Sequence, residues 1–217
     1  MMSTDPFGGA RGKANEALGN AIVEALRKRG YEAVYAPTKE EALAEVLKRI
    51  PKGASVGVPG SVTIREIGAM EELAGRGCTV FQHWGPMTPE EARQARTDEG
   101  NADWFLTSAN AISWDGDIVS IDGAGNRVGA MAWGRGALMF VIGLNKAAPT
   151  LEAAIRRARS ASIPNAIRLD WKTACASAGR CVDCSGPSRM CRALLILEAP
   201  TMGRETCVIL VGEALGY

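Results

Sequence analysis

The sequence predicts an α/β fold, with a layered, mostly parallel sheet flanked by helices and an antiparallel hairpin insertion. Short apolar runs alternate with amphipathic segments along most of the 217 residues, which is the pattern of successive βαβ units. Helix-start motifs follow several of these runs. Two Asp-Gly pairs then interrupt the alternation with the residues that tight hairpins require.

The N-terminal region is predicted to contain a leader and a first helix. Residues 1–12 are expected to be disordered, and residues 13–217 are expected to form a single domain, since no linker rich in Gly, Pro or Ser divides them. The helix is predicted over about residues 14–29 and ends at Gly30. Its apolar stripe consists of Leu18, Ile22 and Leu26.

Capping motifs mark the helices that follow. Thr38 and Glu41 are predicted to form a capping box, in which each satisfies a free backbone donor, and Pro51 ends that helix. A second capping box begins at Thr88, with Pro89 at the favoured first helical position. Strands are predicted over residues 31–36, 54–59, 78–84, 102–108 and 138–146, and a further helix over about residues 150–160.

The alternation breaks in residues 109–134, where both Asp-Gly pairs lie between short apolar segments. An antiparallel insertion is therefore expected there. The pairs are Asp115 with Gly116 and Asp122 with Gly123. Two β-rich runs, at residues 193–200 and 206–214, are expected to form an edge hairpin or to complete the sheet.

Bulk composition excludes some classes of function. The formal net charge of +1 provides no excess of Lys and Arg for nucleic acid as the principal partner. The N-terminus lacks the apolar region of a signal peptide, and the longest apolar run, residues 137–144, is too short to span a bilayer. We therefore expect a cytoplasmic protein without a membrane partner. A homo-oligomer is compatible with the sequence.

Residues 175–191 point most directly to chemistry. Their cysteines follow the spacing C-x5-C-x2-C-x6-C and are Cys175, Cys181, Cys184 and Cys191. In a reducing compartment such thiols are expected to be free or to bind a metal, and four can hold an iron–sulfur cluster or close a zinc site. The spacing departs from the usual two-knuckle zinc pattern, which favours iron–sulfur over zinc. The alternatives are unliganded thiols in a mobile loop and a redox-active pair of Cys181 and Cys184. Cys78 and Cys207 lie in apolar strands and are interpreted as packing residues.

A second candidate site follows the strand at residues 54–59. Gly60 and Ser61 lead into a helix, which places free backbone N–H groups at the carboxyl edge of the sheet. This turn can bind a phosphate or carboxylate, with further contacts from Thr63 and Arg65. The alternative is a well-capped turn without a ligand. No P-loop motif is present, and Gly-Ala-Gly at residues 123–125 is not interpreted as a dinucleotide fingerprint, because no helix is predicted after it.

Polar side chains at other strand ends and turns are predicted to line the same pocket. They are Ser108, Asn110, Asn126, Arg127, Asn145 and Lys146. The alternatives are hydrogen bonds within the turns and, for Lys146, ordinary solvent exposure. His83 is the only histidine and is interpreted as the polar end of a strand. Any histidine-based acid–base mechanism must use it.

Five blocks of the chain together resemble a known family. They are VGVPGSVTIREIG (56–68), ADWFLTSANAI (102–112), DGDIVSIDGAGNRVGAM (115–131), MFVIGLNK (139–146) and the cysteine segment. Over roughly residues 12–217 the chain resembles a cysteine-bearing branch of the lactate-utilisation (LUD) domain proteins. The resemblance implies the fold of ribose-5-phosphate isomerase, CoA-transferase and formyltetrahydrofolate cyclo-ligase. It also implies a link to lactate oxidation beside iron–sulfur partner proteins.

One departure limits what the resemblance implies. CoA-transferase relatives carry a glutamate nucleophile in a Ser-Glu-Asn-Gly segment, whereas this chain has Ser108-Ala109-Asn110-Ala111, so thioester chemistry of that kind is not expected.

Three functions stay open at this point. The first is a redox-linked protein that binds a small carboxylate or phosphorylated metabolite, contains a four-cysteine metal centre and uses a redox partner; if it is an enzyme, it is associated with oxidoreduction. The second is a non-redox enzyme acting on a phosphorylated or CoA-linked metabolite, with a structural zinc loop. The third is a redox-sensing regulatory module.

Overall fold

The computed structural model describes residues 8–217 and contains two sheets. The strands are β1 (Glu32–Ala36), β2 (Ser55–Gly57), β3 (Thr79–Phe81), β4 (Trp104–Thr107), β5 (Ala111–Ser113), β6 (Ile118–Asp122), β7 (Ala137–Gly143), β8 (Ala147–Ala148), β9 (Ala193–Leu197) and β10 (Thr206–Val211). The helices are α1 (Gly8–Lys28), α2 (Lys39–Arg49), α3 (Val62–Glu66), α4 (Ala69–Gly75), α5 (Pro89–Asn101), α6 (Asn126–Ala132), α7 (Leu151–Arg168) and α8 (Ala174–Ala178). Helix α1 begins earlier than predicted, and residues 1–7 of the expected leader lie outside the described residues.

The larger sheet confirms the predicted α/β class. Its six strands are ordered β1-β10-β7-β4-β2-β3, and every neighbouring pair is parallel. A parallel sheet needs apolar cover on both faces. Strand β7 shows this cover: Met139 and Val141 pack into the cluster formed with α2 and α4, whereas Phe140 and Ile142 pack into the cluster formed with α1.

The smaller sheet contains the predicted antiparallel hairpin. Its order is β8-β5-β6-β9, with β6 antiparallel to both β5 and β9. Asp115 and Gly116 form the turn between β5 and β6, where Gly116 has a φ of +92°. Helix α7 covers this sheet, with Ala154 and Ala158 packed against Val119 and Ile121.

The expectation for the second Asp-Gly pair is wrong, and one of the two alternatives for the last two strands is excluded. The second Asp-Gly pair does not form a hairpin, because helix α6 starts three residues after Gly123, with Gly125 at its N-cap in the left-handed region (φ +86°). A helix therefore does follow the Gly-Ala-Gly motif. Strands β9 and β10 do not form an edge hairpin, but the alternative that they complete the sheet holds for β10, which lies inside the large sheet between β1 and β7. Strand β9 lies at an edge of the small sheet.

The helix starts agree with the capping motifs. The Thr88 hydroxyl accepts a hydrogen bond from the Glu91 amide, and the Glu91 carboxylate accepts from the Thr88 amide at 2.7 Å. Thr38 also accepts from the Glu41 amide, but the Glu41 carboxylate accepts from the Thr38 hydroxyl and not from its amide, so only half of this predicted capping box forms. No helix in the described part of the chain combines the length and the apolar character that crossing a membrane requires.

Parallel strand direction determines where a site can form. Strands β2, β4 and β7 end at Gly57, Thr107 and Gly143, so the loops that follow them emerge at one edge of the large sheet. These loops contain Gly60, Ser108 and Lys146, the residues on which the predicted pocket depends.

Candidate anion-binding site

A cavity of about 960 Å³ opens at this edge of the sheet. Its wall combines the loops after β2, β3, β4, β6 and β7 with parts of α5 and α7. The cysteine segment and the residue that follows it add Pro187, Arg189, Met190 and Arg192. Eight of the ten residues predicted to bind substrate line it: Gly60, Ser61, Thr63, Ser108, Asn110, Asn126, Arg127 and Lys146.

The other two predicted residues, Arg65 and Asn145, lie outside the cavity wall. The Arg65 guanidinium stacks 3.8 Å above the Trp84 ring, and Trp84 itself lines the cavity. The Asn145 side-chain oxygen accepts a hydrogen bond from the Leu215 amide at 3.1 Å, which ties the last residues of the chain to the end of β7. Direct contact between either residue and a ligand stays a prediction.

Lys146 lines the cavity and is only 3% exposed. Its Nζ donates hydrogen bonds to Thr63 Oγ1 at 2.7 Å and to Ser108 Oγ at 2.9 Å. Its pKa is lowered from 10.5 to about 7, mainly by burial and also by the positive charges of Arg157 and Arg127, while Glu66 opposes the change. Ordinary solvent exposure therefore does not describe this lysine.

The charged residues of the wall are strongly unbalanced. Five arginines line the cavity: Arg96, Arg127, Arg168, Arg189 and Arg192. Asp122 is the only acidic residue among the described residues that line it, and its carboxylate already accepts the backbone amides of Gly123 and Arg127 at 2.8 Å. The cavity therefore presents an excess of positive charge.

The glycine turn after β2 is shaped by its neighbours. Gly60 has a φ of +63°, and a Cβ there would lie 2.8 Å from Trp84 Nε1 and 3.4 Å from His83 Nε2. Only glycine fits this position without strain. Ser61 caps α3 by accepting a hydrogen bond from the Ile64 amide at 3.3 Å, so this turn is well capped whether or not it binds a ligand.

Asn110 and Arg127 hold the small sheet in place as well as lining the cavity. The Asn110 side-chain oxygen accepts a hydrogen bond from the Ile121 amide at 2.9 Å. The Arg127 guanidinium donates to the Ile121 carbonyl and lies 3.9 Å from the Asp122 carboxylate. Both side chains therefore have a structural partner, which the sequence did not reveal.

A histidine–glutamate pair lies in the same wall, and sequence reasoning missed its role. His83 Nδ1 is 2.6 Å from Glu99 Oε1, while His83 itself lines the cavity beside Gly60. Glu99 is fully buried; burial raises its pKa, and the adjacent His83 opposes that shift. A buried carboxylate that orients an imidazole is a common way to position a general base or acid.

The glycine at residue 57 makes this pair possible. A Cβ at Gly57 would lie 2.0 Å from the Glu99 carbonyl oxygen, so α5 can approach β2 closely only because residue 57 has no side chain. The sequence signal for the pair was Glu99 itself, an acidic residue near the end of α5 that is the only buried position of this helix.

The cysteine segment contacts the cavity through the residues around its thiols. Pro187, Arg189, Met190 and Arg192 line the wall. The Cys191 thiol donates to the Ser162 hydroxyl at 3.2 Å, and Ser162 lines the cavity as well.

Three of the four thiols interact electrostatically. Burial raises the pKa of Cys191, and the nearby Cys175 and Cys181 raise it further. The Cys175 sulfur lies 3.1 Å from Thr173 Oγ1. Within residues 8–217 no group of three or more His, Cys, Asp or Glu side chains is placed to hold a metal ion. The four-thiol centre therefore stays a prediction.

Comparisons with known proteins agree with the fold. The crystal structure of a DUF162 family protein from Deinococcus radiodurans, at 1.70 Å resolution, is similar with a TM-score of 0.53 and 14% sequence identity over 91% of this chain and 98% of that chain. No curated protein matches the chain significantly. The model of the LUD domain matches residues 20–211. Since that match spans most of the sequence, the chain belongs to the LUD domain family.

Proposed function

We propose that this LUD-domain protein binds a small anionic metabolite, a carboxylate or a phosphorylated compound, in the cavity at the edge of its large sheet. The observation that carries the proposal is the charge of the wall. Five arginines line it, whereas among the described residues a single carboxylate does, and that carboxylate is already bonded to backbone amides.

The arrangement suits such a ligand in two ways. Arginine presents a planar fork that bonds carboxylate and phosphate groups with two parallel hydrogen bonds. A partly enclosed wall also strengthens these interactions, because fewer waters screen the charges. The hydroxyls of Thr63 and Ser108 add neutral hydrogen-bonding groups beside Lys146.

Two arginines on one helix provide a matched test. Arg96 lines the cavity from α5, whereas Arg93, one turn earlier, is exposed and pairs with Glu90. Isothermal titration with phosphate, lactate and pyruvate should detect binding to the wild-type protein. Arg96→Gln should weaken it about tenfold or more, since a charged hydrogen bond contributes about 1.5–3 kcal/mol. Arg93→Gln should leave the affinity unchanged. An absence of binding by all three anions, or equal losses in both variants, would contradict the proposal.

The family's link to lactate suggests that the ligand is a small hydroxy or keto acid and that the site works in a redox reaction. What supports this version is the position of the cysteine segment, which contributes Arg189 to the wall and is followed directly by Arg192, another lining residue. Cys175, Cys181, Cys184 and Cys191 would hold the iron–sulfur cluster of this proposal. Such a cluster would supply electron transfer next to the bound metabolite. Zinc on the same four thiolates would instead be structural, because no coordination position would remain for substrate.

Metal content separates these versions. The protein should be purified without oxygen, its visible spectrum recorded and its iron and zinc measured. Stoichiometric iron with visible absorbance supports the redox version; zinc without colour supports a structural loop beside a non-redox site. Cys184→Ser should lose bound metal, whereas Ser185→Ala in the same loop should retain it. A Cys184→Ser protein with full metal content would refute the ligand assignment.

A further inference from the structure

The surroundings of Lys146 differ from those of a lysine that only binds anions. Its Nζ is buried, and its hydrogen-bond partners are two hydroxyls, Thr63 Oγ1 at 2.7 Å and Ser108 Oγ at 2.9 Å. Within residues 8–217, no carboxylate forms an ion pair with it. A buried ammonium without a carboxylate partner is costly, so this environment favours the neutral amine.

The two hydroxyls match the hydrogens of that neutral amine. A neutral primary amine has two N–H hydrogens and one lone pair, and Thr63 and Ser108 accept both hydrogens. The lone pair is then left without a partner, on a residue that lines the cavity. An unprotonated, hydrogen-bonded amine facing a ligand cavity is the arrangement of a nucleophile.

The backbone beside Lys146 is fitted closely around it. A Cβ at Gly216, where φ is +62°, would lie 2.4 Å from Thr63 Oγ1 and 3.1 Å from Lys146 Nζ. The Gly216 amide donates to the Glu66 carboxylate at 2.6 Å, which fixes the segment in that place. The amine and its two hydroxyls are therefore closely packed against this backbone, which helps to position a reacting group.

We propose that Lys146 is a catalytic nucleophile that forms an imine with an anionic carbonyl compound, a keto acid or a phosphorylated aldehyde or ketone, bound by the arginines of the cavity. This inference rests on the proposed function, since the arginines must bind the anionic part of the substrate. It adds the reacting group and narrows the substrate class to carbonyl compounds.

The step balances without a further reagent. The Lys146 nitrogen attacks the carbonyl carbon to form a carbinolamine, and the bond from that carbon to oxygen then breaks as the carbon–nitrogen double bond forms. The two amine hydrogens leave with the oxygen as water. Thr63 and Ser108, which bond those hydrogens in the resting protein, are placed to relay them.

The acidity of the group agrees with this role. With a pKa of about 7, roughly half of Lys146 is unprotonated at neutral pH. For a lysine with the ordinary pKa, the neutral fraction of the amine at the same pH is about a thousandfold smaller.

Reductive trapping tests the inference. The protein is incubated at neutral pH with glyoxylate or with pyridoxal 5′-phosphate, both anionic aldehydes, then treated with cyanoborohydride, digested and mapped by mass spectrometry. The Lys146 peptide should carry at least about tenfold more adduct than the peptide of exposed Lys172, because far more of its amine is neutral. Inorganic phosphate should reduce the label on Lys146 and leave that on Lys172.

Variants and a separate titration keep the outcomes distinct. Lys146→Met should lose the preferred adduct, and Lys172→Met should retain it. If Lys146→Met fails to fold, Ser108→Ala takes its place as the test. It keeps the lysine but removes one of its hydrogen-bond acceptors, and it should slow the labelling of Lys146. Phosphate binding by calorimetry together with label on surface lysines alone would overturn the imine and leave the anion site standing. An absence of phosphate binding would count against the proposed function itself.

Discussion

The titration of Lys146 should be visible in the stability of the whole protein. Its pKa is about 7 in the folded protein and close to its ordinary value of 10.5 in the unfolded chain. Between these two values the unfolded chain binds one more proton than the folded protein. The free energy of unfolding must therefore rise with pH across this window, while below about pH 7 both states are protonated and the full cost of burying the charge remains.

The size of the effect follows from the two pKa values. Between about pH 6 and pH 9 the Lys146 contribution should raise the free energy of unfolding by about 2–3 kcal/mol, at 1.36 kcal/mol for each unit of pKa difference. Lys146→Met lacks the titrating group, so it should lose this rise. The charged groups around the amine, Arg157, Arg127 and Glu66, remain in the variant.

Urea denaturation at a series of pH values measures this directly. The quantity to compare is the free energy of unfolding of the wild-type protein minus that of Lys146→Met. Burial raises the pKa of Cys207 to about 12 and also raises that of Tyr31, so both contribute opposite slopes at high pH, but these cancel in the difference. Lys172→Met, which removes an exposed amine, should follow the wild-type protein. A difference between wild type and Lys146→Met that does not change with pH would refute the reasoning.

Two further predictions concern positions outside the lysine cluster. In nuclear magnetic resonance spectra the neutral imidazole of His83 should carry its proton on Nδ1, which donates to the Glu99 carboxylate. In Glu99→Ala the imidazole should no longer be held in this tautomer. A proton on Nε2 in the wild-type protein would contradict the pairing. Thr88→Ala should lower the free energy of unfolding by about 1 kcal/mol, because it removes the capping box of α5. Thr97→Ala, on the exposed face of the same helix, should change the free energy of unfolding by less than about 0.5 kcal/mol. Equal losses in the two variants would show that the cap is not the cause.

Local sequence patterns predicted the individual helices and strands better than the order of the strands in the two sheets. Apolar runs and capping motifs identify β2, β4, β7 and the start of α5 because those signals depend on neighbouring residues. The place of β10 inside the large sheet depends instead on packing against β1 and β7, which are distant in sequence. Helix α6 was missed because Asp122 and Gly123 suit a hairpin, whereas Gly125 and its positive φ start a helix.

In the candidate site, too, some residues could be predicted from local sequence patterns, whereas others depend on packing between distant parts of the chain. Gly60, Ser108 and Lys146 could be placed together because parallel strands bring their carboxyl ends to one edge. Arg96 and Glu99 could not, since charged residues on a polar helix are usually exposed to solvent. Their position follows from the close approach of α5 to β2, which Gly57 permits and which no local pattern encodes.

The central claim is that the arginine-lined cavity around Lys146 binds anions, and anomalous diffraction tests it most directly. Crystals of the wild-type protein should be soaked in selenate, whose selenium scatters anomalously and whose oxygens imitate carboxylate and phosphate groups. We predict an anomalous peak inside the cavity, within hydrogen-bond distance of at least one of the arginines that line it. Selenate peaks confined to the outer surface, with the cavity empty of anions, would contradict the account.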